Sequence, residues 1–403
     1  MENKFFEEPL AKRQKREHLD PIFQSFAFEE GKRNIIGKRL CLEKAFSYLQ
    51  LGINDMNLAI LEIIDANPRT SVGFRDAALT TNCYQLKAQS DSGFVLENIF
   101  VDGFDVLKKI LDAQPKVPKD NLQRRALAKL LQFISEQSHD PLFEEPEYEE
   151  QWVFTLAQHL FSKLSVDEAY MVDSAPNFRL QEDLGVCPCK EKDPLIGKIG
   201  DTSFGLEAGW HGKADIIMQH VPITVIRERK QYVTSEDLSS SSGEANESFS
   251  EKDLTQLRAQ TILFSFLQHK LNKDLLKNCL IPGIGMNAKE LVIFFYDCEN
   301  DVLLSSKTLQ LFRGKELSLS VVLFLWLTLN YRHFCSGVAE GMKGFKSTFF
   351  SKAENYLKDY YSDVTLSLHM PFKKQETEFG WSDNYGIEFA VREPCVDYIE
   401  LPN

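Results

Sequence analysis

Several absences narrow what this chain can be. No two cysteines stand in Cys-x-x-Cys spacing; the eight lie at positions 41, 83, 187, 189, 279, 298, 335 and 395. A disulfide framework or a zinc ribbon is therefore not expected, and the reading is free thiols in a reducing compartment. Cys187-Pro188-Cys189 is the only close pair. One intervening residue is poor spacing for a zinc knuckle, so the pair reads as loop chance. No apolar run reaches the roughly 20 residues that cross a bilayer. The longest, Leu317 to Leu329, contains Ser318, Ser320 and Thr328 and reads as a buried core helix. Basic residues are in deficit, with 46 Lys and Arg against 59 Asp and Glu and a net charge of −13. That excludes a surface that binds nucleic acid everywhere, but not a local basic groove. There is no Walker motif, and Gly283-Ile284-Gly285 lacks the downstream glycine of a dinucleotide site. No secretory signal is read at the N-terminus, so the expected location is nuclear or cytoplasmic.

What is present is a 403-residue chain rich in phenylalanine, with 30, long enough for a sizeable core. Residues 1–35 read as a polar, disordered tail. Within it, Lys12-Arg13-Gln14-Lys15-Arg16 is either a cluster of the kind import receptors read or a solvated charge run. Residues 36–140 read as a helical region, from Leu40, Ala45, Leu49, Leu58, Leu61 and Ile64, then Phe94 to Leu111, then Leu122 to Phe133. These helices would pack on the core or bind a protein partner. Residues 141–335 carry mixed signals: an acidic joint at Pro141 to Pro146, then a helix marked by Trp152, Val153, Leu156, Ala157, Leu160 and Leu164. A strand at Ser203 to Glu207, a helix at Asp253 to Lys270, and strands at Glu290 to Tyr296 and Val302 to Ser306 follow. Thr234 to Gly243 reads as a serine-rich surface insertion, and residues 336–403 as an aromatic-rich extension with no assignment.

The chemistry concentrates in Gly212-Lys213-Ala214-Asp215-Ile216-Ile217-Met218 and Thr224-Val225-Ile226-Arg227-Glu228-Arg229-Lys230. Both read as short apolar strands. Alternation puts Glu228 and Lys230 on one side of the second, and hairpin pairing would bring Asp215 beside them. Two carboxylates and an ammonium at a sheet edge can hold a divalent metal against a phosphodiester. Glu-x-Lys also occurs at Glu2 and Glu30, but in polar segments with no strand before them. The bland alternative is a hairpin end whose charges merely solvate the edge. In the following helix Gln256 and Gln260 continue an apolar stripe with Leu263 and Leu267, and would need hydrogen-bond partners if buried.

This element order, over residues about 147–310, resembles the PD-(D/E)XK nuclease superfamily, particularly its RecB-like and phage-exonuclease-like branches. Gly212-Lys213-Ala214-Asp215 matches the family's Gly-x-x-Asp strand, and Glu228-Arg229-Lys230 its (Asp/Glu)-x-Lys. Gln256-Leu257-Arg258-Ala259-Gln260 is similar to its Gln-x-x-x-Tyr, with Gln in place of Tyr at 260. Leu156-Ala157-Gln158-His159-Leu160 is similar to the family's His-containing first motif, without its glycine and acid.

The resemblance implies an α/β fold: a restriction-endonuclease-like core, its central mixed sheet flanked by helices, with an α-helical N-terminal region. It implies a nuclease that hydrolyses DNA through water activated by Mg²⁺ or Mn²⁺. Asp215 and Glu228 would ligate the ion with the Arg229 carbonyl, and Lys230 would orient the water and stabilise charge. The first-helix ligand stays open among Glu149, Glu150 and His159, with Glu150 preferred as a carboxylate. DNA is preferred over RNA, bound in a local groove, with no membrane partner. The alternative is a catalytically inactive nuclease-like fold that binds nucleic acid or protein.

Overall fold

The computed structural model describes residues 57–84, 94–112, 118–135, 149–173, 186–189, 193–218, 220–226, 249–314 and 316–366, with Glu43, Phe46, Lys116 and Leu142 (backbone alone at Ser135, Glu149, Glu150 and Glu316). The basic cluster at 12–16, the serine-rich insertion at 234–243, and Glu228, Arg229 and Lys230 lie outside the described residues.

The chain opens with β1 (Leu58–Ala66), β2 (Val72–Gly73) and β3 (Leu79–Cys83), then α1 (Val101–Leu111) and α2 (Asn121–Ser135). Helix α3 (Glu149–Leu156) passes through a π turn at Ala157–Phe161 into a last turn at Ser162–Leu164. Strands β4 (Tyr170–Asp173), β5 (Lys198–Gly200), β6 (Ser203–Gly205), β7 (Trp210–Lys213), β8 (Ile216–Met218) and β9 (Val221–Val225) precede α4 (Glu251–Asn272). Next come β10 (Leu280–Met286), β11 (Glu290–Asp297), β12 (Val302–Ser306), β13 (Leu309–Gln310) and the hairpin β14 (Phe312–Arg313) and β15 (Glu316–Leu317). Helix α5 (Leu319–Leu329), short helical turns and β16 (Thr365–Leu366) complete the described elements.

Ten strands form one mixed sheet in the order β3-β1-β12-β11-β10-β9-β8-β4-β5, with β13 paired to β11. The pairs β9/β10 and β4/β5 are parallel. A parallel pair needs a crossover, and α4 supplies it between β9 and β10. A second, four-stranded sheet runs β16-β6-β7-β2.

Side-chain alternation along β11 builds the layers. Phe295 lies beside Phe324 of α5 on one face, while Tyr296 reaches Phe266 of α4 on the other. Helix α4 in turn sets Phe264 against Phe204 of the small sheet, ring centres 5.1 Å apart. It is thus buried nearly all round, which is why Leu257 through Gln268 form an unbroken buried run. Helix α5 is apolar but for Ser320 and Thr328, and Ser320 to Leu329 are all buried. Among the described residues no helix is long and apolar enough to cross a membrane.

Two expectations are corrected. The N-terminal region is not purely helical: Leu58–Ala66, read as part of a helix, is a nine-residue strand paired with both β12 and β3. Its Leu58, Leu61 and Ile64 fit a helical interval, and the adjacent burial of Ile60 and Leu61, on opposite faces, leaves no clean alternation; Ile64 itself is exposed. Second, Gly212 to Met218 is not one strand. The chain changes sheets at Ala214-Asp215, leaving the small sheet after Lys213 and entering the large one at Ile216. Strand β9 then begins at Val221, so the expected connection is shorter than the sequence suggested. Strand β10 had no sequence counterpart. Its Gly283 admits α4: a Cβ there would lie 2.1 Å from Thr261 Oγ1, on a stiff β-branched neighbour.

Candidate active site

The sheet change at Ala214-Asp215 positions Asp215, the one expected carboxylate ligand whose side chain is described. Asp215 is half-buried at the entrance to β8. Its Oδ2 accepts the Val225 N–H at 2.8 Å, which fixes the carboxylate against the carboxyl end of β9. Its carbonyl accepts the Asp173 N–H at 2.9 Å, which carries the β4/β8 ladder one pair past Val172↔Ile216. Asp173 and Asp215 therefore stand opposite one another at the same end of the sheet. Gly212 keeps this corner open to packing: its φ is 148°, and a Cβ would meet the Phe74 ring at 2.7 Å.

The surrounding charges are paired. Lys213 Nζ donates to Asp173 Oδ1 at 2.9 Å and lies 3.7 Å from Asp201 Oδ1. The hydrogen bond to Asp173 holds the Lys213 ammonium above its ordinary pKa. The Ser203 hydroxyl on Asp201 holds that carboxyl below its own.

Helix α4 overlies this end of the sheet with its amino terminus. Leu257 faces Gly285 and Thr261 faces Gly283, so the helix runs antiparallel to β10. Its start is capped by Ser250, whose hydroxyl accepts the Asp253 N–H while the Asp253 carboxylate accepts the Ser250 N–H. The N-terminal positive end of the dipole thus sits above the carboxyl ends of β9 and β10, where open α/β sheets place their ligands.

The two glutamines differ. Gln260 is buried, and its carboxamide is used at both ends: Thr224 Oγ1 donates to Oε1 at 2.9 Å, and Nε2 donates to the Lys213 carbonyl at 2.9 Å. It joins the large sheet to the small one beside Asp215, and so positions the corner. Gln256, one turn earlier, is half-buried, and its carboxamide has no partner among the described residues.

The first-helix candidates also separate. Glu149 and Glu150 open α3, with backbone alone described. His159 stands in the π turn with its imidazole on two thiols: Nε2 is 3.2 Å from Cys189 Sγ and 3.3 Å from Cys187 Sγ. This His-Cys-Cys group escaped the sequence reading because the partners are 28 and 30 residues apart. A buried, close Cys-x-Cys pair was its only local sign. Farther along, burial and the neighbouring Arg332 push His220 down to about 3. The neutral imidazole then accepts the Arg332 guanidinium N–H at 2.6 Å and locks the β8–β9 turn to the residues after α5.

No protein-family model, curated protein or solved structure matches the chain.

Proposed function

We propose that the chain is a Mg²⁺- or Mn²⁺-dependent nuclease of the PD-(D/E)XK kind that hydrolyses DNA, centred on Asp215, Glu228 and Lys230. One observation carries the reading: the order α3, β4, β8, β9, α4, β10, with β5, β6 and β7 inserted between β4 and β8. Here β4, β8 and β9 are antiparallel neighbours and β10 returns parallel to β9 across α4. Asp215 enters the middle strand, and Glu228-Arg229-Lys230 follows the third strand by a few residues. That arrangement supports the reading.

The donor chemistry fits a hard cation. Asp215 offers carboxylate oxygen held in place by the Val225 amide, and hard divalent ions take oxygen ligands. Asp215, Glu228 and the Arg229 carbonyl would hold the ion, which supplies an acidified water and neutralises phosphate charge when bound. Lys230 orients the nucleophile and stabilises the charge that develops on phosphorus oxygens. Gln256 is available for a phosphate contact at the amino end of α4, where the dipole favours an anion. Gln260 keeps β7 and β9 in the register that presents Asp215.

The test is cleavage of single- and double-stranded DNA in Mg²⁺ or Mn²⁺ by wild type, Lys230→Ala and Asp215→Asn. Each substitution is expected to lower the rate by about 100-fold or more. Equal rates in all three overturn the mechanism. DNA binding without cleavage by wild type would instead identify a catalytically inactive nucleic-acid-binding fold.

A further inference from the structure

Between β4 and β5, residues 186–189 and 193–196 are held to α3 by two adjacent residues of the π turn. Gln158 binds the second segment through its carboxamide: Nε2 donates to the Pro194 carbonyl at 3.1 Å, and Oε1 accepts the Ile196 N–H at 3.2 Å and the Tyr170 hydroxyl at 2.6 Å. His159 meets the first at Cys187 and Cys189. The two segments are joined by the Cys187 N–H to the Asp193 carbonyl at 2.7 Å and by the Val186↔Pro194 bridge. Both thiols are buried, at 1% and 7% exposure.

Two sulfurs converge on a single imidazole nitrogen, and hydrogen bonding alone accounts for this poorly. A neutral imidazole accepts at one nitrogen and donates at the other, so Nε2 accepts from one thiol and the second is left with the weak bond between the two sulfurs. A cation between the three atoms satisfies all of them. The spacing agrees: tetrahedral zinc with Zn–S near 2.3 Å and Zn–N near 2.0 Å separates nitrogen from sulfur by about 3.5 Å. The observed separations are 3.2 and 3.3 Å, and the three ligand atoms lie within 4.8 Å of one another. Thiolate and imidazole together are a soft-to-borderline set suited to zinc, unlike the carboxylates near Asp215. π turns also concentrate where a helix must aim a side chain at a functional site.

We infer that His159, Cys187 and Cys189 bind Zn²⁺, which staples α3 to the β4–β5 connection, with the fourth coordination position left to water. The site is independent of the proposed nuclease centre.

The test uses the full chain, purified under reducing conditions, desalted after exposure to ZnCl₂ and assayed for metal, then exchanged with Co²⁺. Stoichiometric zinc is expected, and Co²⁺ should give sulfur-to-metal charge-transfer absorption with d–d bands of tetrahedral intensity. His159→Ala and the Cys187→Ser/Cys189→Ser double variant should lose those bands, while Cys279→Ser and Asp215→Asn keep them. Zinc should raise the melting temperature of wild type by several degrees and leave the double variant unmoved. Absence of retained metal in wild type overturns the inference whether or not the variants fold. So does a Co²⁺ spectrum that persists in the double variant, or a Cys187–Cys189 disulfide in the reduced preparation.

Discussion

In one half of the large sheet β11 meets α5 and α4 through aromatic rings, whereas in the other β9 and β4 meet α4 and α3 through the buried carboxamides of Gln260 and Gln158. In the first half Phe294, Phe295 and Tyr296 are all but fully buried. Trp326 of α5 packs at 4.5 Å between ring centres on Phe334, and its indole N–H donates to the Ala126 carbonyl at 2.8 Å. In the second half, Gln158 and Gln260 each satisfy both ends of a buried carboxamide, and Asp215 clasps a strand amide. The first kind of contact is graded with volume and indifferent to direction. The second fixes atoms in place and fails when one partner goes. Stability and positioning are therefore divided between the two halves of one sheet.

The division can be broken most strongly at Trp326. Trp326→Ala should cost about 3–5 kcal/mol in urea denaturation, since it empties the largest buried site on α5. A loss under about 1 kcal/mol would remove the hydrocarbon half's claim to stability. Gln260→Leu should cost less, about 1–3 kcal/mol, by leaving the Thr224 hydroxyl and the Lys213 carbonyl without a partner. Adding Thr224→Val should recover part of that loss. Strict additivity in the double-mutant cycle would show that the contact does not couple the two strands. Lys213→Met should cost least, about 0.2–1 kcal/mol, because Lys213 is half-exposed. That loss should shrink as salt is raised. A salt-independent loss as large as that of Gln260→Leu would move Lys213 into the positioning machinery.

What the residues revealed beforehand follows the same division. Strand β12 was legible to the residue as Val302–Ser306, because a polar turn bounds a short apolar run. Helix α4 was legible from its stripe of Gln256, Gln260, Leu263 and Leu267, and α5 from its long apolar run. Strand β1 was not, since Ile60, Leu61, Ile63 and the exposed Ile64 place apolar residues on both faces and leave no alternation to read. Strand β10 was hidden by Pro282, Gly283 and Gly285, which read locally as loop signals but serve the close approach of α4. In the candidate site, Asp215 stood out because an acid interrupts apolar sequence. The need of a buried Gln260 for partners was also readable, though their identity, Thr224 and the Lys213 carbonyl, is set by two sheets meeting. The thiol–imidazole group was unreadable because no local interval joins residue 159 to residues 187 and 189.

The π turn at Ala157–Phe161 acts as a phase shifter. A π turn closes on the fifth residue rather than the fourth, so it holds one residue more than the α turns around it. Each residue of an α-helix advances the face by about 100°. The helix therefore keeps separate angular settings before and after this point, with Phe154 and Leu164 both in the core. Losing one residue within the turn would restore regular winding and swing the imidazole off the thiols, while both ends could keep their packing. The contact that joins this helix to the sheet edge is thus encoded in chain length as well as in side-chain identity.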